Sequence, residues 1–108
     1  MLTRSSKVNG VKLPFLSLGR NTAEGVKPVQ NGTSGYALAF TTLREAGSYL
    51  QAKNDSSLEL ELIVRQSVAR YLDDLEQAGL IGVGFDTKAD GKGTVPVSLD
   101  DLRAMFFH

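Results

Sequence analysis

Short apolar runs alternate with capped helical segments from Tyr36 to Phe106, and that rhythm restricts the chain to layered folds of strands and helices. Tyr36-Ala-Leu-Ala-Phe40 reads as a buried strand, closed by Thr41-Thr42. Thr42-Leu-Arg-Glu45 is a capping box, in which the Thr hydroxyl accepts from a first-turn amide and the Glu reaches back. Leu43, Ala46 and Leu50 then predict an amphipathic helix to about Ala52, weakened at Gly47. Leu58-Glu-Leu-Glu-Leu62 alternates strictly, which predicts a half-buried strand with leucines inward and Glu59 and Glu61 in water. Gln66 or Ser67 caps a second helix with Val68, Leu72 and Leu75 as its stripe, and Gly79 supplies the left-handed residue that ends it. Leu80 to Phe85 is a strand interrupted by Gly82 and Gly84, and Asp86 to Gly93 is a polar loop. Thr94-Val-Pro-Val97 is a short extended piece, and Ser98-Leu-Asp-Asp101 opens a final helix with Leu99, Leu102 and Met105 or Phe106 on one side. The expected fold is α+β, with α/β-like layers: a mixed sheet of four to five strands and about three helices packed on it.

The first third is less regular. Residues 1–10 read as a flexible leader and residues 11–108 as one domain, a size that supports a core without staples. Lys12-Leu-Pro-Phe-Leu-Ser-Leu18 is a first strand, held to an edge or a strand start by Pro14. Residues 19–34 are rich in Gly, Asn, Thr and Ser, which reads as a long hairpin connection or a loop. Twelve basic groups balance twelve acidic ones, but residues 1–30 set Arg4, Lys7, Lys12, Arg20 and Lys27 against Glu24 alone. Net neutrality argues against nucleic-acid contact by the whole chain, and any such role falls to this basic segment.

The residue types exclude several chemistries. With no Cys there is no disulfide, thiolate metal site or Cys nucleophile, and the single His is His108, too terminal to orient a triad. Gly79, Gly82 and Gly84 follow a helix and enter a strand, the reverse of a dinucleotide loop. Asp86-Thr-Lys-Ala-Asp90-Gly91 puts Lys88 where a calcium loop needs a ligand. No metal, cofactor or catalytic set is expected.

Two groups of residues stand out. Glu59 and Glu61 share one strand face, so with Tyr36 they form a speculative ligand site if a cleft beside the sheet gathers them. Phe106-Phe107 places adjacent aromatics at a helix end, where both cannot face one way, which suggests an interface with a partner or a second copy. Tyr49 and Tyr71, on helices among polar residues, read as exposed. The start of the chain lacks the apolar stretch of a signal peptide, and no segment approaches a membrane span, so the expected setting is cytoplasmic.

Residues 36–106 resemble the SseB-type amino-terminal domain, a bacterial module. The likeness rests on Leu38-Ala-Phe-Thr-Thr-Leu-Arg-Glu45, on Leu72-Asp-Asp-Leu-Glu-Gln-Ala-Gly-Leu-Ile-Gly-Val-Gly-Phe85, and on Val97-Ser-Leu-Asp-Asp-Leu102. Where that family tends to read Asn-Pro-Gly after its penultimate strand, this chain has Asp86-Thr-Lys. The resemblance implies a part in a multi-domain setting linked to serine sensitivity and no catalytic residue. The expected function is a non-enzymatic interaction or regulatory module; the alternatives are a small-ligand binder or weak enzyme using Glu59 and Glu61, or nucleic-acid contact through the basic segment.

Overall fold

A computed structural model describes residues 11–32 and 34–107. The leader and His108 lie outside them. The order is β1 (Phe15–Thr22), β2 (Gly25–Pro28), β3 (Tyr36–Phe40), α1 (Leu43–Lys53), β4 (Leu58–Ile63), α2 (Val68–Gln77), β5 (Gly82–Phe85), β6 (Val95–Ser98) and α3 (Leu99–Phe107). The α+β expectation holds: three helices pack on one mixed, six-stranded sheet. The departure is in residues 19–34. The first strand runs on to Thr22 and turns through Ala23-Glu24 into β2, paired from Thr22↔Gly25 to Gly19↔Pro28. The turn residues mark this hairpin's tip, and the polar strands beside it are mostly exposed because no helix covers them.

β1 has two sets of neighbours. Along one edge it pairs with β4 from Phe15↔Ile63 to Arg20↔Leu58. Along the other it pairs with β3 at Leu16 and Ser17, then with β2 from Gly19 onward. β3 continues to β5 in parallel, and β5 pairs antiparallel with β6. β4, β6 and β2 each pair with a single strand and so leave one edge open.

Both faces of the sheet are covered. On one, α2 and α3 enclose Phe15, Ala37, Ala39, Ile63, Val83 and Phe85 with Tyr71, Leu72, Leu75, Leu102 and Phe106. On the other, α1 sets Ala46 and Tyr49 against Leu18, Leu38 and Phe40. Phe15 is the hub of the first layer: its ring meets Tyr71 and Phe85 edge-on at 5.8 and 5.2 Å and stacks on Phe106 at 6.4 Å. Tyr49 and Tyr71 are 8% and 5% exposed, so the expected exposure of both is overturned: their polar neighbours lie on the opposite sides of their helices. Leu43, expected on the apolar stripe of α1, is 70% exposed at the helix's first position.

The caps follow the sequence in part. Thr42 Oγ1 accepts from the Glu45 amide at 3.2 Å, but the Glu45 carboxylate turns to Lys88 Nζ, 3.1 Å away. Ser98 Oγ accepts from the Asp101 amide. Ser67 precedes α2 without capping it; its hydroxyl accepts from the Val64 amide instead. Gly79 takes φ +81 after α2, as a helix-ending residue must. At Gly82 a Cβ would run into the Val97 carbonyl and the Tyr36 ring, so the strand glycine serves close packing.

Two predictions follow from these contacts. Phe15→Ala removes a ring that is 1% exposed and should cost about 3–5 kcal/mol in a urea melt. A loss near zero would show that the aromatic layer does not hold the sheet. At the β1–β4 end, Arg20 Nη1 donates to Asp55 Oδ2 at 2.8 Å, and Ser57 adds two hydrogen bonds to the same carboxylate. The Arg20 bond first, then Ser57, lower the Asp55 pKa from 3.8 to about 2. A carboxyl more acidic in the fold adds stability that is complete above 3.8 and fades as pH falls toward about 2. NMR titration should place Asp55 there, and Arg20→Ala should return it toward 3.8.

Candidate functional site

The outer edge of β4 is an open strand edge that carries a strictly alternating pattern of Leu and Glu. Its pairing phase follows from one bond: the Asn21 amide donates to the Ser57 carbonyl at 2.8 Å, in register with Arg20↔Leu58. In an antiparallel ladder such bonded pairs alternate with non-bonded ones. Glu59, Glu61 and Ile63 therefore bond inward to β1, whereas Leu58, Leu60 and Leu62 aim their amide and carbonyl groups away from it. The ends of that row are closed, since the Leu58 amide donates to the Asp55 carbonyl and the Val64 amide to Ser67 Oγ. The amides of Leu60 and Leu62 remain, facing outward with no strand partner among the described residues.

The side chains of β4 divide by face. Leu58 and Leu60 are half-buried on the α1 face, and Leu62, beyond that helix's cover, is 55% exposed. This corrects the expectation of three inward leucines. Glu59 and Glu61 lie on the α2 face, exposed at its margin rather than on an open face. The Glu61 carboxylate accepts from Arg70 Nη2 at 2.8 Å, and Arg70 Nε also approaches Asp74 at 3.8 Å. Glu59 has no ion-pair partner among the described residues. The margin of this strand is acidic on one face and apolar on the other.

The structure does not bring the three sequence candidates together. Tyr36 sits in β3, two strands from β4, and its ring lies over Gly82 on the opposite face from Glu59 and Glu61. A site combining all three is excluded by that placement. The two terminal phenylalanines also part: Phe106 is 8% exposed and packs on Phe15, while Phe107 is 48% exposed. Of the two, Phe107 presents a surface, and the carbonyl of its neighbour Phe106 accepts from Arg65 Nη1 at 2.8 Å. Among the described residues no group of His, Cys, Asp and Glu is placed to hold a metal, and no helix is long and apolar enough to cross a membrane.

Tyr71 is a functional-looking residue that sequence patterning placed wrongly. Its hydroxyl is enclosed below Glu59 and Glu61 beside a cavity of about 60 Å³, with no partner in hydrogen-bonding geometry. Burial, with the Glu61 charge adding to it and Ser17 opposing, pushes its pKa from 10.0 up to about 12. Helical spacing carried the available signal, since Tyr71 follows Val68 by three positions and precedes Leu75 by four. Tyr71→Phe removes an unsatisfied buried oxygen, so at pH 7 its stability should lie within about 1 kcal/mol of the parent or above it. A phenol less acidic in the fold loses stability as pH rises through 10.0 toward about 12, because the unfolded chain ionises first. Alkaline melts should show that loss in the parent and a smaller one in the variant; equal losses would place the titrating group elsewhere.

Compared with protein-family models the chain matches none, and no curated protein matches it either.

Proposed function

We propose that the chain is a non-enzymatic interaction module, akin to the bacterial SseB-type domain and working in the cytoplasm, that captures an extended segment of a partner protein along β4. One observation carries this reading: the outward amides of Leu60 and Leu62 form an unpaired row, flanked by exposed Leu62 on one face and Glu59 and Glu61 on the other. An added strand gains main-chain bonds from that row and places alternate side chains on opposite faces. Its residues on the α1 face would meet Leu58, Leu60 and Leu62; those on the α2 face would meet carboxylates. The complementary segment alternates apolar and basic residues. Glu59 supports the basic half, since it is the carboxylate of this margin that no described cation neutralises.

Leu62→Pro tests the main-chain part. Proline removes the outward amide but none of the bonds to β1, which an edge strand tolerates. A labelled short peptide of alternating Val and Lys should bind the parent saturably by fluorescence anisotropy. The proline variant, checked by circular dichroism for an unchanged fold, should bind about tenfold more weakly or not at all. Glu59→Lys should weaken binding at low salt, and a Val-Glu peptide should not bind. Equal binding by parent and proline variant, or by both peptides, would remove β4 as the docking edge.

A further inference from the structure

The cavity of about 60 Å³ beside Tyr71 lies on the α2 face, between α2 and the strands β2, β1 and β4. Ser17 lines it from β1, Glu59 and Glu61 from β4, and Tyr71 and Asp74 from α2. Val26 and Pro28 of β2 add an apolar wall. Strand register gathers these residues: β1 sets Ser17 beside Glu61 and places Gly19 between Glu59 and Pro28.

Two independent features point to one kind of occupant. The first is charge. Glu59, Glu61 and Asp74 meet only Arg70, whose Nη2 lies 2.8 Å from Glu61 and whose Nε lies 3.8 Å from Asp74. Three carboxylates against one guanidinium leave two negative charges around the cavity. Arg20 and Lys27 face each other across β1 and β2 on the other side of the sheet, so neither supplies a further cation. The second feature is the Tyr71 hydroxyl, which is buried without a hydrogen-bond partner. A donor that reaches it removes the penalty of an unmatched polar group.

A metal ion does not suit these residues, because among the described residues no three acidic or imidazole groups are placed to hold one. A guanidinium is a flat fork of five N–H groups, some of which would turn against Val26 and Pro28. An ammonium is compact, and its three N–H groups match Tyr71 Oη, Ser17 Oγ and the Glu59 carboxylate. The volume, several times the roughly 15 Å³ that one water needs, takes that head and the start of an alkyl stem.

We propose that this cavity is a site for a primary ammonium group, with Tyr71, Ser17 and Glu59 as its acceptors and Val26 and Pro28 against its stem. Two sources carry such a head: a free alkylamine and a lysine of the strand captured at β4. The second source rests on strand capture. The cavity shares Glu59 and Glu61 with that margin but none of its outward main-chain row.

The probe is propylammonium chloride, followed in amide proton–nitrogen spectra of the intact chain. Saturable shifts should centre on Ser17, Glu59 and Tyr71. Tyr71→Phe and Glu59→Gln, the latter at an exposed position, should each bind about tenfold more weakly, as loss of a charge-assisted bond implies. Tetramethylammonium, which has no N–H, and potassium should give smaller shifts that do not saturate. Leu62→Pro should bind propylammonium as the parent does. The peptide of alternating Val and Lys, set against one of Val and Arg, separates the sources. A preference for lysine in the parent that Tyr71→Phe abolishes assigns the site to the captured strand; propylammonium binding with no such preference assigns it to free amines. Peptide binding that is lost in Leu62→Pro while propylammonium never binds removes this site and keeps the docking edge, and the reverse pattern removes the edge and keeps the site. The proposal is overturned by any of four results: no saturable shift at propylammonium concentrations on the order of 10 mM, shifts centred elsewhere, equal binding of tetramethylammonium or potassium, or unchanged affinity in both Tyr71→Phe and Glu59→Gln.

Discussion

β1 bears the architecture because no other strand contacts as many parts of it. Its inner edge is divided, with β3 held at Leu16 and Ser17 and β2 from Gly19 onward, while β4 runs unbroken along the other side. A strand alternates its side chains between faces, so the same eight residues must satisfy both layers at once. Phe15 anchors the α2–α3 layer, and Leu18 the α1 layer. Where this strand passes beyond both layers its residues turn polar and exposed, from Arg20 to Thr22. The exposed hairpin with β2 follows from how far β1 extends past its helices.

The two layers are built differently. The α2–α3 layer relies on large rings around Phe15, and Arg103 ties its helices together through Asp73 and Glu76 at 2.9 and 2.8 Å. The α1 layer is thinner, and over β5 no helix covers it at all. There the polar loop after β5 folds back over Gly84, with Thr94 and Thr87 against it, while the Tyr36 ring of β3 covers Gly82. Asp86 fixes the loop's start at φ +60 and accepts from the Thr41 amide and hydroxyl at 2.8 and 2.7 Å. The glycines thus substitute contact between backbone and loop for contact between helix and sheet.

What the sequence made legible was whatever depends on near neighbours. Thr42, Ser98 and Gly79 announced helix ends, and period-two alternation placed β4, because caps and pleats are set within a few residues. What it hid depends on partners far along the chain. The hairpin of β1 and β2 lacks an apolar face because no helix covers it, so only its turn residues were visible. Alternation in β4 identifies two faces but not what lies over each: Leu58 and Leu60 pack on the α1 layer, and Glu61 meets Arg70 on α2. Tyr71 looked polar-facing by its neighbours Arg70 and Asp73, yet its angular position put it in the core. The cavity of about 380 Å³ lined by Arg20, Leu38, Lys53 and Leu58 was beyond reach, since strand pairing and the packing of α1 together bring these residues to one place.

The edges of the sheet show how charge separates one kind of pairing from another. β6 is a four-residue strand carrying Pro96, which shortens and blunts it. β4 is longer and lacks proline, and its protection is Glu59 and Glu61. Two copies pairing antiparallel about Leu60 would set Glu59 of each opposite Glu61 of the other, and pairing about Glu61 would set that residue opposite itself. Like charges directly opposed destabilise a strand pair, so both registers are penalised on the α2 face even though the leucines match on the α1 face. Arg70 offsets part of this at Glu61 but leaves Glu59 uncompensated. A basic segment meets the reverse situation, with the same leucine contacts and attraction in place of repulsion. Under the proposed capture, the carboxylates that disfavour pairing of this edge with its own copy would also favour a basic strand beside it.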